Sequence, residues 1–177
     1  SSVSSDRRRL KDDEAELRLQ GEAVLHQRAG EIAWLLGRQR LAERHLQVAL
    51  ELANECLLGD VEVSCHRSLG QLYADRGKPT LARAHLDQGL HQARLMRDLR
   101  RQVDALTSRA SLAMDDGDVA KAQACCDEAL GLSTELEDSG AAAEALVAVA
   151  NLLIRGGEDL RARQYLERAR VLADAGE

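Results

Sequence analysis

Apolar residues in this chain recur every three to four positions, the period of an α-helix that buries one face. Val63, Leu69, Leu72 and Tyr73 mark such a face across 63–76, and Leu81, Leu86, Leu90 and Leu95 mark another across 81–96. Gly77-Lys78-Pro79 stands between the two faces. Glycine suits the left-handed residue that closes a helix. Proline is tolerated in the first turn of the next one, where its missing N–H would have had no partner. Asp118, one residue after Gly117, and Asp159, two after Gly157, are expected N-caps of the equivalent helices.

The layout repeats. Gly37, Gly77, Gly117 and Gly157 stand 40 residues apart. Seven positions before them lie Gly30, Gly70, Ala110 and Ala150; five after lie Ala42, Ala82, Ala122 and Ala162; twelve after lie Ala49, Gly89, Ala129 and Ala169. Nine after come Leu46, Leu86, Cys126 and Leu166. Small residues on both helices of a unit let their axes approach closely, and the Leu column fills the seam. A single helix pair cannot bury its apolar faces, so successive pairs must stack. Unit three departs most, with Arg109 in an otherwise apolar column and Cys126 in the Leu column.

The second unit, with Leu69-Gly70, Tyr73, Gly77, Ala82, Leu86 and Gly89, resembles the tetratricopeptide repeat (TPR) family. The 40-residue period, longer than the family's usual 34, is similar to the subclass in kinesin light chains, G-protein signalling modulators and the sensor segments of bacterial transcription regulators. The resemblance covers residues 23 to 176. It implies an all-α fold, a right-handed α-solenoid of stacked antiparallel helix pairs. Residues 1–22 are expected to be a flexible N-terminus plus a leading helix over Asp6 to Leu19, and 23–177 four repeats, about nine helices in all.

Composition agrees. The 177 residues include 30 Leu and 28 Ala, both strong helix formers, but no Phe, two Tyr, one Trp and one Pro, which argues against an all-β fold. A net charge of −6 gives no electrostatic reason to expect nucleic acid. Arg7-Arg8-Arg9 is answered by Asp12, Asp13 and Glu14 and reads as a solvated helix face. No apolar run reaches the length of a membrane span, and the N-terminus has no signal-peptide core. Cys56, Cys65, Cys125 and Cys126 lack metal or disulfide spacing and are expected as free thiols in a reducing, cytoplasmic compartment.

Candidate chemistry is sparse. His26 and His66 are 40 residues apart, as are His45 and His85; each pair occupies equivalent places in adjacent units, about 8–10 Å apart, too wide for a shared metal ion. Repeat inheritance accounts for them, and no metal or cofactor is expected. Phosphate loops and hydrolase or metalloprotease motifs are absent, so the chain is not expected to be an enzyme.

What remains is a surface. In the resembled family the first helices of successive units line a concave groove that holds a peptide. By register one row here is Gln27, Arg67, Thr107 and Val147; the next is Glu31, Gln71, Ser111 and Asn151; the third is Trp34, Ala74, Met114 and Ile154. Gln27, Glu31, Trp34, Arg67, Gln71, Asp75, Ser111, Met114 and Asn151 are the expected partner contacts. Trp34 either anchors a partner or packs between units. The two-carboxylate clamp of chaperone-binding relatives finds only Arg67 in place. Asp75, Asp104, Asp115 and Glu144 tilt the face acidic, favouring a basic or neutral segment of a partner protein. The fourth unit ends in Val171, Leu172 and Ala173 without a polar cap helix, which suggests self-association there or a longer chain. The alternative function is a regulatory or self-association segment of a larger signalling or transcription-regulatory protein.

Overall fold

The computed structural model describes residues 2–136 and 138–175, with side chains from 13 to 174. Its helices are α1 (Ser2–Leu35), α2 (Gln39–Glu55), α3 (Gly59–Asp75), α4 (Pro79–Leu95), α5 (Leu99–Asp115), α6 (Val119–Ser133), α7 (Ser139–Arg155) and α8 (Asp159–Ala175). These eight are one fewer than expected, because the leading helix and the first helix of unit one are continuous. Gln20, Gly21 and Glu22 stand between them, and a helix tolerates the interior glycine at about 1 kcal/mol. The side chains of Arg7, Arg8, Arg9 and Leu10 lie outside the described residues.

The turns have half the period of the sequence repeat. Gly37, Gly77, Gly117 and Gly157 all have positive φ, between 65° and 77°, and so do Leu57 (55°) and Arg97 (54°), midway between glycines. Each closes its helix in the same way. The Gly77 N–H donates to the Ala74 carbonyl at 2.9 Å and the Lys78 N–H to that of Tyr73 at 2.9 Å; the Leu57 and Leu58 N–H groups donate likewise to Asn54 and Ala53. This is the Schellman arrangement, which satisfies the last carbonyls of a helix. Asp118 caps α6, accepting from the Lys121 N–H at 3.1 Å. Asp98 and Asp138 do the same for α5 and α7. Asp159, by contrast, is the first residue of α8 rather than a residue before it.

Packing follows the small-residue columns. α1 pairs with α2, α3 with α4, α5 with α6 and α7 with α8, and the pairs stack in chain order. A methyl placed on Gly70 would fall 2.6 Å from Leu86 Cδ2, and one on Gly30 2.6 Å from Leu46 Cγ. The leucine therefore sits directly on the glycine. In unit three the seat is Ala110 and the residue in the Leu column is Cys126: one side chain gains a methyl where the other is smaller. Leu81 and Leu95, expected on the buried face of α4, are 45% and 66% exposed; that face is Ala82, Leu86, Gly89, Leu90 and Ala93. Arg109 does not break the core of unit three, because its guanidinium turns out to Asp87 at 2.9 Å.

Each of α1, α3 and α5 also packs against the next odd-numbered helix, whereas the backbones of successive even-numbered helices stay farther apart, α4 and α6 being joined by Arg94 to Glu128 at 2.6 Å and α6 and α8 by Arg161 to Asp127 at 3.1 Å. The odd helices form the inner, concave layer and the even ones splay outside it. Ion pairs also join successive units. Glu43 takes Arg76 at 2.5 Å, and at the places 40 residues on Arg83 takes Asp116 at 2.8 Å with the charges exchanged.

Two stability changes follow, each read by urea or thermal unfolding followed by circular dichroism. Gly70→Ala lowers stability by about 1–3 kcal/mol through overpacking, and adding Leu86→Cys, the combination found at Ala110 and Cys126, recovers part of the loss. Leu57→Gly raises stability by about 0.5–1 kcal/mol, since Leu57 is 90% exposed and loses little beyond its left-handed backbone penalty.

Candidate functional site

The inner layer carries the three predicted rows, and many of their side chains are already engaged. On α1, Gln27 is only 6% exposed and donates to Glu31 at 3.1 Å, while Arg28 donates to the other Glu31 oxygen at 3.1 Å. Gln27 therefore positions Glu31 instead of reaching a partner. Trp34 on α1 donates its indole N–H to Asp75 on α3 at 2.8 Å, and its ring packs on the core of units one and two. Of the two readings of Trp34, this geometry is packing between units, with part of the ring left in the groove.

At the other end Arg155 of α7 reaches back to α5, donating to Ser111 Oγ at 2.8 Å and Asp115 Oδ1 at 2.5 Å. Arg100 of α5 donates to Glu144 of α7 at 2.6 Å. The acidic tilt read from the sequence is thus largely offset: Asp115 and Glu144 are paired with arginines, and Asp75 holds an indole N–H. Desolvation raises the Asp104 carboxyl above its ordinary value, while the nearby Arg67 and Arg100 pull it back. Met114 packs against the core of units three and four, its Cε beside Gly156.

Arg67, Gln71 and Asn151 make no side-chain hydrogen bond or ion pair among the described residues, so their polar groups are open to a ligand. Arg67 lines a hollow of ≈ 190 Å³ between α3 and α5 with Val63, Ser64 and Asp104. Asn151 and Val147 line a wider, mostly apolar hollow of ≈ 650 Å³ with Leu166, Ala169 and Ala173 of α8. In units one to three the counterparts of Leu166, which are Leu46, Leu86 and Cys126, are buried. Here Leu166 is 38% exposed. Arg170 stands where units one to three have Leu50, Leu90 and Leu130 and pairs with Glu167 and Asp174, so this end of the stack is partly polar.

The histidines are coupled differently from expectation. His26 Nδ1 meets His45 Nδ1 at 2.9 Å, and His66 Nδ1 meets His85 Nδ1 at 3.0 Å. The couples lie within units, across the seam of one helix pair, 19 residues apart. Tyr73 stacks on His85 with ring centroids 5.4 Å apart, and its hydroxyl donates to Glu43 at 2.7 Å. Burial, and then the neighbouring His85, pull His66 down to about 4; burial also lowers His85. All four cysteines are free thiols. Among the described residues no helix is long and apolar enough to cross a membrane.

No family model matches the chain, and no curated protein matches it significantly. Among solved structures it is similar to BtubC (BKLC) from P. vanneervenii, with a TM-score of 0.68 and 17% identity over 86% of this chain. The fold is a TPR-like α-solenoid. The chain spans 63% of the length of BtubC.

His66 gives this site a measurable pH dependence. Unfolded, its imidazole takes a proton near 6.5; folded, only near 4. The stabilising contribution of the neutral ring is complete above pH 6.5 and is lost as pH falls toward 4, about 3 kcal/mol at most. Replacing the couple by the residues unit three carries, His66→Leu with His85→Cys, flattens the stability profile over that window in urea titrations at successive pH values.

Proposed function

We propose that this chain is a non-catalytic protein-interaction module of the TPR family, in its long-repeat subclass, that holds a peptide or helical segment of a partner against its inner layer. The observation that carries the reading is the continuous contact of α1, α3, α5 and α7, which lines up open polar and apolar side chains on one face. Gln71 and Asn151 supply amide donors and acceptors for an extended backbone, Arg67 supplies the open charge, and Val147, Ile154 and the free part of Trp34 supply apolar contact. With Asp115 and Glu144 already paired, the neutral end of the basic-to-neutral range suits the partner segment best. Affinity rests on a few anchors, as is usual for such surfaces. Free thiols in all four cysteines support a reducing, cytoplasmic setting.

A second reading, a segment that docks on another copy or on a further part of a larger regulatory chain, is favoured by the open apolar hollow on α7 and α8.

Selection of a random displayed peptide library against the purified chain tests the first reading. Selected peptides bind one per chain, and Gln71→Ala with Asn151→Ala weakens them about tenfold or more, roughly 1.4 kcal/mol, while Arg163→Ala on the outer layer does not. Peptides indifferent to the inner-layer changes contradict it. Mass that rises with concentration in sedimentation equilibrium, and is restored to monomer by Val147→Asp, supports the second reading.

A further inference from the structure

Within the chain, each unit covers a fixed set of side chains on the next. Ala105 of α5 lines the hollow against α3 with Val63, Ser64 and Arg67. Leu112 of α5 reaches into the core of units one and two. Leu152 of α7 lies with Met114, Ala122 and Cys126 of unit three. All three residues are buried. Their unit-one counterparts are Leu25, for Ala105, and Ile32, for Leu112 and Leu152. These two are 69% and 57% exposed, and among the described residues only α2 and α3 pack on α1.

The surface that receives such residues is open at the other end of the stack. Ala143 and Val147 are the unit-four counterparts of Val63 and Arg67, and Leu166 is that of Cys126; all three line the hollow on α7 and α8. Ile154, the counterpart of Met114, is also exposed.

We propose that copies of this chain stack head to tail, the free face of α1 in one copy seating on the α7–α8 hollow of a second copy through the same contact that joins units within the chain. The proposal rests on the second reading above and gives it an occupant. A second copy is indicated because the two faces change character together. Inside the chain Trp34 meets Asp75 in a hydrogen bond; between copies the same two places hold Ile154 and Leu35, both apolar and both exposed. Inside the chain the small Ala105 shares its hollow with the long Arg67; between copies Leu25 meets Val147, so bulk lost on one face is gained on the other. Neither apolar change suits the polar residue that holds the facing place within the chain, whereas together they suit each other. Arg170, already paired with Glu167 and Asp174, stays at the rim of the hollow. A contact between two different faces does not close on a pair, so each added copy continues the solenoid.

Sedimentation equilibrium of the whole chain over a concentration series tests the proposal, with substitutions at the exposed Leu25 and Val147, where folding is least at risk. The average mass of the unaltered chain climbs past that of two chains. Leu25→Asp and Val147→Asp each spoil one face and hold the chain at the mass of one. Mixed in equal amounts, the two variants form a complex of two chains and no larger, because each supplies the face the other lacks. Leu95→Asp, on α4, leaves the assembly intact. Self-association that Val147→Asp abolishes and Leu25→Asp does not, as in a pairing of hollow with hollow, overturns the head-to-tail arrangement while the second reading stands. A mixture of the two variants that stays monomeric overturns it as well. An unaltered chain that is monomeric at millimolar concentration overturns the proposal and, with it, the self-association half of that reading.

Discussion

Leu86 can rest on α3 only because position 70 has no side chain, and most of the architecture depends on that contact. Burying one leucine contributes about 1.5–3 kcal/mol, and here the gain requires the two helices to come closer than any Cβ on Gly70 would permit. The same seat recurs at Gly30 under Leu46, and at Ala110 with the shorter Cys126. Once each pair is closed in this way, its remaining apolar residues face the neighbouring pair, and stacking is the only way to cover them. The core accordingly divides into one cluster for units one and two and another for units three and four, with Leu112 of α5 reaching into the first and Leu90 of α4 into the second.

The stack bends because only the odd helices bring their backbones close together along its length. The inner surface that results is held by side chains reaching from one unit to the next: Trp34 to Asp75, Arg100 to Glu144, Arg155 to Ser111 and Asp115. These links use up much of what the rows had offered to a ligand. What they leave open, at Arg67, Gln71, Asn151 and the apolar ends, is what a partner segment would meet. The structural and recognition roles of the inner layer are thus divided residue by residue.

The columns of small residues, the glycine turns and the helix pairs could be read from spacing alone, because a close crossing restricts residue size at fixed positions whatever surrounds it. Other features could not. Leu57 and Arg97 take a left-handed backbone without being glycine, so nothing in their residue type announced a turn; the sign available was their position midway between the glycines. The caps Asp98 and Asp138 stand at those same half-period turns. The histidines were misread for a related reason. Counting along the repeat joins His26 to His66, whereas antiparallel helices bring together residues on either side of a turn, and His26 and His45 straddle Gly37. Which groove residues are engaged depends on long, flexible side chains such as Arg155 and Arg100, whose direction no spacing rule specifies.

The central claim is that odd helices form the inner layer and even helices the outer. Pulsed spin-label distances test it most directly, in a chain whose half-exposed Cys56 is replaced and whose labels sit at positions 71 and 151 on α3 and α7, or at 84 and 164 on α4 and α8. The account predicts a shorter distance between the α3 and α7 labels than between the α4 and α8 labels. Equal distances, or a shorter span on the even helices, would contradict it.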